Sequence, residues 1–556
     1  MLIDSFFLRS IVQELQVLKE SNLRQIYQFG KSTIYLYFQN HVVRICLDPT
    51  FAHICIAEKE DFSDHHPSNF VMLMRARLRN AKLKKVEQVG FDRIIFFEFD
   101  KIDETGDRHL YRLYIEFFGT HCNMILVENN TIVDAFKYSS TSLRTIEKGH
   151  HYEFPAQKLN PFEISYDFFN LKDEKQTVSQ FISKTISGFS KLMIDELFTR
   201  AKLVDKMICD LDSSEKNSLK HAFFSIFNDY QKGRIYVYDK KDRFVLSTVP
   251  LKYLSHNVEV FESPSKAVDH AYAILHRRQV LKQTQTELIK VVKEYMKKEI
   301  KMLDAIEDEL KECEKSDTFL QYGELLKYAS NQNQSGDLVN VFDYSTGKTL
   351  SIPLVKGKDI RQSSQYYFDL YKKLKEKGRV LRTRVEKSKQ FLNYLEQLLH
   401  TIESADDLEI LQEIKQEMAQ QGMIKKEKQQ IQRESDFRKI EYQDFLILIG
   451  KNNKQNEKLL KQANDKDLWL HVHEIPGAHV VIRTANRVVP EDVLKYAAAL
   501  AAYHSKARFS SKVPVDYTLV KNVHKPKGSP PGFVVYTNYE TIFVDPQIVE
   551  SHPEYR

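Results

Sequence analysis

Two stretches of heptad-spaced apolar residues, held apart by a short insert, constrain this 556-residue chain more than any other feature. In the first, about 265–317, Leu281, Leu288, Tyr295 and Met302 recur every seven residues, with Val292 and Ile306 on a second seam. In the second, about 363–434, Leu374, Leu381, Val385, Leu392, Leu395, Leu399 and Ile402 step by sevens, fours and threes. Helices this polar are marginal alone, so each needs a partner. That partner is either a second copy of the chain or the other helix. The insert, 318–362, carries the strand-like runs DLVNVFDY (337–344) and TLSIPLV (349–355), joined through Ser345-Thr346-Gly347. Its position between the two helices favours an antiparallel coiled-coil hairpin with a small domain at the tip. An arm of about 50 residues at 1.5 Å per residue reaches roughly 75 Å.

The flanking regions read as sheet-containing domains, which makes the chain multidomain α+β. In 1–172, IYLYF (34–38), VVRICL (42–47), HICIAE (53–58), RIIFFEF (93–99), RLYIEFF (112–118) and NMILVE (123–128) have strand length and composition. NFVMLMRARLRNAKLKK (69–85) has helical spacing, so a mixed sheet with flanking helices, an α/β domain, is expected. Residues 173–232 switch to helices. There, ISGFSKLMIDEL (186–197) sets a glycine turn before a helix, either an ordinary cap at Gly188 or a turn that offers amides to a phosphate. Strands return in 233–264. The last region, 435–556, again reads as α/β, with strands 445–450, 479–484, 515–520 and 532–537 and an alanine-rich helix over 490–508.

Charge and cysteines narrow the function classes. The formal net charge of +6 permits a nucleic-acid partner without requiring one, because patches matter more than totals. Five cysteines with no C-x-x-C pair argue against a disulfide framework or a zinc knuckle, and for a reducing compartment. No secretory signal and no membrane-length apolar run is visible, so a cytoplasmic protein without a membrane partner is expected.

The densest polar cluster lies in 444–482. A strand ending at Gly450 runs into Lys451, Asn452, Asn453, Gln455 and Asn456, a turn into a helix N-terminus. It suits phosphate or base-edge contact, though it could simply cap the helix. It is not a Walker A loop, since the adjacent Lys-Ser/Thr is missing. Trp469, the only tryptophan, sits beside His471 and His473. With His479 these raise zinc, but no carboxylate or cysteine completes a ligand spacing, and exposed rings on an RNA-facing surface are the preferred reading. Lys521, His524, Lys525 and Lys527 form a small basic loop, to which Lys451 and Lys454 add. No Ser-His-Asp order, no G-x-S-x-G and no working carboxylate pair emerges. A non-catalytic protein with no metal and no cofactor is expected.

These segments, in this order, resemble the NFACT family of ribosome quality-control proteins, RqcH-type in bacteria and Rqc2/NEMF in eukaryotes, known under an older label as fibronectin/fibrinogen-binding proteins. GKNNKQNE (450–457), DLWLHVHEIPGAHVVI (467–482), VDYT (515–518) and VHKPKGSPPGFVVY (523–536) match its C-terminal RNA-binding domain, NFACT-R. PSNFVMLMRARL (67–78), Gln88, GFDRIIFFEF (90–99), IEFFGTHCNMILVE (115–128), Arg144, Gly149, Tyr152 and Pro155 match NFACT-N. YYFDLYKKLK (366–375) matches the start of the second coiled-coil helix. The family's usual Glu-Ile-Met-Gly appears as Glu116-Phe117-Phe118-Gly119, its Gly-Arg-Ile-Asn-Lys-Ile as Ser21 to Ile26, and Ser190 stands where a second glycine is usual.

The resemblance implies a formamidopyrimidine-DNA-glycosylase-like NFACT-N with a helix-hairpin-helix insert. Glycosylase chemistry does not follow, because those enzymes begin with a catalytic proline and this chain begins Met1-Leu2-Ile3. It implies a factor that binds obstructed large ribosomal subunits carrying peptidyl-tRNA and recruits alanyl-tRNA. Alanine is then added to the stalled chain without mRNA, and the ribosome itself makes the peptide bond. Partners would be the large subunit, tRNA, rRNA and a small RqcP-type protein. Asp92, Arg93, Glu116, Gly119 and His121 would contact tRNA, and the NFACT-R residues above would contact RNA. The competing reading, a surface adhesin for fibronectin or fibrinogen, would need export.

Overall fold

The computed structural model describes residues 3–59, 67–141, 144–156, 158–169, 175–240, 243–254, 258–329, 334–425 and 436–546. The chain divides into two units, Met1–Arg278 and Gln279–Arg556.

The first unit opens with α1 (Ser5–Glu14), which Asp4 caps by accepting the Phe7 amide at 2.8 Å. β1 (Gln25–Phe29), β2 (Thr33–Tyr37), β3 (Val42–Cys46) and β4 (His53–Ala57) follow as an antiparallel meander. After α2 (Asn69–Leu78) comes a second one: β5 (Lys82–Gln88), β6 (Ile94–Ile102), β7 (Arg108–Glu116), β8 (Asn123–Glu128) and β9 (Thr131–Ala135). β10 (Ser139–Ser140) and β11 (Thr145–Ile146) form a short ribbon. The expected mixed sheet is therefore corrected to two antiparallel ones. Tight turns return a strand antiparallel, whereas a parallel neighbour needs a crossover of roughly a dozen residues or more.

The helix expected over 69–85 is also too long. It ends at Leu78, and Asn80 takes a positive φ of 61°. In β5 only Leu83, Val86 and Gln88 turn inward, and an irregularity between Leu83 and Lys85 breaks the period-two signal.

Both sheets, α1 and α2 share one core, in which Phe7, Ile11, Leu15, Ile34, Val71, Phe97 and Leu113 are fully buried. α1 also faces a second core. Phe6 lies among the rings of Phe91, Phe162, Phe189, Phe227 and Tyr230, in a core that also takes in α3 (Val178–Thr185), α4 (Lys191–Ala201) and α5 (Ser213–Tyr230). β12 (Ile235–Asp239), β13 (Phe244–Ser247) and β14 (Val258–Phe261) then form a three-stranded sheet. The boundary expected at 172/173 lies outside the described residues.

α6 (Pro264–Glu314) begins in the first unit, where Ala267, Val268 and Ala271 are buried. In the second unit it runs antiparallel to α8 (Ile360–Ser404). Leu288 and Val292 meet Leu395, Leu398 and Ile402, while Ile306 and Cys313 meet Leu381 and Leu374. Gly378 lets the helices close on each other, since a Cβ there would stand 3.3 Å from that of Cys313. Met302, placed on the seam by its spacing, is 40% exposed. A line of every seventh residue drifts about 20° per heptad around a straight helix, so one begun at Leu281 has turned away by Met302.

Between the long helices stand α7 (Ser316–Lys327) and the strands β15 (Gln334–Ser335), β16 (Leu338–Asp343) and β17 (Lys348–Pro353), with Leu326, Val339, Ile352 and Tyr367 as their core. The second long helix is shorter than expected. It stops at Ser404, Gln285 donates to the carbonyls of Ile402 and Ala405 at 3.0 and 2.9 Å, and a separate α9 (Leu408–Gln420) folds back onto the pair. The rest of that expectation, 426–434, lies outside the described residues.

The C-terminal sheet has the order β18-β19-β21-β20-β22-β25, antiparallel throughout. Its strands are β18 (Arg438–Tyr442), β19 (Phe445–Ile449), β20 (Leu468–Val472), β21 (Val480–Arg483), β22 (Val513–Leu519) and β25 (Glu540–Val544), with β23 (Val523–His524) and β24 (Val535–Tyr536) as a side ribbon. α11 (Glu491–Tyr503) covers one face through Val493, Ala497, Ala498 and Ala501. α10 (Asn453–Gln462) covers the other through Leu459. This region too is α+β rather than the α/β expected.

Candidate nucleic-acid interface

In the first unit the turn from β5 to β6 presents Asp92 and Arg93. Gly90 takes a φ of +55°, and the Asp92 amide donates to the Val89 carbonyl at 3.0 Å. Gln88 locks the turn from beneath, its amide donating to the carbonyls of Ser5 and Asp92 at 3.0 and 2.7 Å. Phe91 points the other way, edge-on to Phe6 at 4.8 Å. That anchoring leaves Asp92 and Arg93 half-buried at the surface. The Arg93 guanidinium lies 5.5 Å from the Phe118 ring centre. Among the described residues it makes no ion pair, so its planar donor fork is uncommitted.

A cleft of about 430 Å³ opens beside it, lined by Asp4, Asp92, Arg93, Phe118, Lys158 and the 186–192 turn. That turn is held by the Ser187 hydroxyl, which donates to the Phe91 carbonyl at 2.7 Å. Gly188 has a φ of +82°, and a Cβ there would meet the Phe91 ring at 2.5 Å. Glycine is required for both reasons. Ser190 caps α4 without a side-chain hydrogen bond, so among the described residues no cap side chain takes the helix's first amides. Burial pushes the Asp4 carboxyl up to about 6, against the opposing pull of the Phe7 amide and Arg93. Asp4, Lys158 and Lys191 were not singled out from the sequence. Asp4 before SFFLRS is an N-cap signal, which says nothing of a cleft.

Glu116 does not fit the contact role expected of it. It is 1% exposed, and both carboxylate oxygens are engaged: Arg144 grips it in bidentate fashion and the Tyr152 hydroxyl donates to it at 2.8 Å. Burial first and the adjacent carboxylate second push the Tyr152 phenol far above its ordinary value. The pair pins the 144–152 segment to the end of β7. Gly119, with a φ of +58°, and His121 are exposed in the following loop.

In the C-terminal sheet region the amides of the GKNN turn point inward, correcting the expectation of phosphate or base-edge contact in favour of the helix cap. Asn452, Asn453, Gln455 and Asn456 are 1–3% exposed. Asn452 caps α10 by accepting the Gln455 amide at 2.9 Å, and donates to Glu413 at 2.5 Å. Asn453 donates to Glu417 at 3.0 Å, and Asn456 accepts the His479 amide at 3.2 Å. The turn therefore ties α9, α10 and β21 together. Lys451 is half-buried beside a cavity of about 320 Å³ that also has Arg438, Arg508, His400 and His504 in its walls. Burial, then Arg438, holds His504 down at about 3.

Trp469 is fully buried, so the expected exposed ring is corrected too. It sits on β20, a central strand whose two faces are covered by α10 and α11, which leaves no outward side for a stacking platform. His471 stacks on it at 5.8 Å, and burial lowers the His471 pKa. His473 is half-exposed and hydrogen-bonded to Asp516 at 2.6 Å, which raises it. Lys521 and Lys527 are exposed, and Lys525 pairs with Glu457 of α10 at 2.7 Å. No contact joins Lys451 to that loop among the described residues.

The pattern described as NFACT N-terminal and middle domains matches residues 4–436, and that of the NFACT protein RNA binding domain matches 436–537. The chain belongs to the NFACT family. It is 30% identical to the Rqc2 homolog RqcH of Bacillus subtilis and 32% identical to that of Streptococcus pneumoniae, over 98% of both chains in each case. An archaeal Rqc2 homolog from Methanocaldococcus jannaschii is 26% identical over 82% of this chain and 73% of its own length. Among solved structures, the C-terminal part of the fibronectin/fibrinogen-binding protein of Streptococcus suis is 35% identical over 48% of this chain and 96% of its own, at a TM-score of 0.40. Among the described residues, no helix of this NFACT chain is long and apolar enough to cross a membrane.

Proposed function

We propose that this protein is a non-catalytic RNA-binding factor of ribosome quality control. It binds obstructed large ribosomal subunits that carry peptidyl-tRNA, recruits alanyl-tRNA, and directs mRNA-independent alanine tailing of the stalled chain. The ribosome makes each peptide bond, so the factor needs to bind and position, and its own groups exchange no proton with the substrate. The observation that carries this reading is the uncommitted Arg93 fork at the mouth of a cleft that also holds Lys158, Lys191 and the first turn of α4. Together they favour a phosphodiester backbone: a bidentate donor, two ammonium groups and helix N-terminal amides. The RqcH relatives, alike over nearly the whole chain, support the rest.

In this reading 1–172 with 233–264 is NFACT-N, 173–232 its helix-hairpin-helix insert, and 435–556 NFACT-R. The helices of 265–317 and 363–434 form a coiled-coil arm, and the small domain of 318–362 is its ribosome-reaching tip. A small RqcP-type protein is a further partner, and the setting is the cytoplasm.

The test is to recover the tagged protein from cells and sequence the RNA bound to it. Large-subunit rRNA with tRNA enriched for alanine acceptors is the expected result. Arg93→Ala should keep the rRNA and lose the tRNA. Tagged protein that brings down neither RNA would overturn the reading.

A further inference from the structure

A second cavity in the C-terminal sheet region, of about 290 Å³, lies between α8, the turn 474–477 and the segment 531–536. Its walls are rings and short apolar groups: His471, His479, Phe533, Val534, Tyr536 and Pro476. Gln397 of α8 clamps one side, donating to the Gly477 carbonyl at 2.6 Å and accepting the Gly477 amide at 2.8 Å. The opposite wall is set by Gly532, whose φ is +77° and where a Cβ would come within 2.9 Å of the Asn453 Oδ1. The fold therefore builds this space from three separate segments.

Its polar groups are not all satisfied. His479 is 3% exposed, lines the cavity, and its Nδ1 has no hydrogen-bond partner among the described residues. Buried polar atoms in folded proteins are nearly always paired, and each exception calls for an explanation. Of the eight such side-chain atoms among the described residues, four belong to this one region: His479 Nδ1, Trp469 Nε1, Asn453 Oδ1 and Glu417 Oε2. Burial keeps the His479 ring neutral, so Nδ1 can accept or donate according to tautomer.

The lining selects the ligand's chemistry. Among the described residues it contains no lysine or arginine, and it does contain Glu396 and Glu474, so a phosphate is disfavoured. A planar heterocycle suits the rings. Carboxylates at the rim accept hydrogen bonds from an exocyclic amino group, which adenine, guanine and cytosine carry and uracil lacks. The volume falls at the small end of ligand sites, which run from about 300 to 1,000 Å³. Exposed Lys527 and the partly screened Lys525 precede Pro531 on the same loop, where they can meet the phosphates flanking an inserted base.

We propose that this cavity holds one splayed-out, amino-bearing base of a single-stranded RNA. The inference rests on the reading of the C-terminal region as an RNA-binding domain, and adds to it a base-reading pocket. Single-stranded recognition commonly takes this form, with an unstacked base among aromatic rings and hydrogen bonds to its edge.

The chain carries its own reporter. Trp469 is the only tryptophan, and it packs 5.3 Å from His479 and 4.8 Å from Tyr536. Titrating the full-length protein with adenosine 5′-monophosphate should change Trp469 emission saturably. Uridine 5′-monophosphate should bind about tenfold or more weakly, the equivalent of one lost hydrogen bond. His479→Phe keeps the ring and removes the unpaired nitrogen. It should abolish the saturable change while the melting temperature holds or rises. Phe533→Ala, at the half-buried rim, gives a second variant with the same expected loss. No saturable change with either nucleotide, in wild-type protein that still binds rRNA, overturns the pocket alone, as does an unaltered response in both variants. Equal affinity for the two nucleotides overturns the base class. Wild-type protein that binds no RNA at all overturns the parent reading instead.

Discussion

Removing the Glu116 carboxylate tests whether that residue contacts RNA or holds the fold. Glu116 is 1% exposed and the Arg144 side chain 19%. Glu116→Ala leaves a largely buried guanidinium with the Glu153 carbonyl at 3.3 Å and the Tyr152 hydroxyl as its remaining neighbours among the described residues, and takes from Tyr152 the carboxylate that accepts its proton. Breaking one side of a buried ion pair costs about 3–5 kcal/mol. Replacing both partners by apolar groups of similar volume is often close to neutral, so Glu116→Gln with Arg144→Met should recover much of the loss. For a unit of this size each kcal/mol moves the melting temperature by roughly 2 °C, which gives a fall of about 6–10 °C for the single variant. Trp469 lies in the other unit and reports its melting separately, so calorimetry of the full chain should show the first-unit transition moving while the tryptophan signal does not. Below the lowered transition, tRNA affinity should equal wild type. An unchanged melting temperature with lost tRNA binding would refute the structural role and restore Glu116 as a contact.

Three further outcomes are expected. Asn452→Ala should destabilise the second unit by about 1–2 kcal/mol through the lost N-cap, read as a lower Trp469 melting temperature, with RNA affinity of the folded protein little changed. Asp4 has its pKa raised from 3.8 to about 6, so the native state holds the proton more tightly than the unfolded chain does. The associated stability is fully present below about pH 4 and is lost as the pH rises through 6, a swing of at most about 3 kcal/mol. Asp4→Asn, which keeps a capping side chain, should flatten that dependence in denaturant melts between pH 4 and 7; an unchanged slope counts against it. Replacing residues 318–362 by a short Gly-Ser turn should weaken co-sedimentation with large ribosomal subunits while both sheet regions still melt cooperatively; undiminished sedimentation argues that the tip is not the ribosome contact.

The long helices, the strands around Ile45, Phe97 and Leu126, and the alanine-rich α11 were legible in the sequence, because apolar spacing at period 3.6 or 2 is a local property. The strand after Asp92 and Arg93 was legible in the same way, but the turn that presents the pair was not, since RIIFFEF reads as strand from Arg93 onward and the strand begins at Ile94. Which way a polar side chain faces was not legible. Asn452, Asn453 and Gln455 look like a ligand-facing turn until α9 supplies Glu413 and Glu417 to receive them. Trp469 reads as a stacking platform until helices cover both faces of its strand. Glu116 reads as a contact residue until Arg144, 28 positions away, closes on it. The antiparallel order of the sheets, the cleft joining Arg93 to the α4 turn, and the cavity around His479 each depend on segments distant in sequence. Local pattern determines which elements form and which residues are available. Burial and hydrogen-bond satisfaction are properties of the assembled chain, and they decide which of those residues remain free to bind.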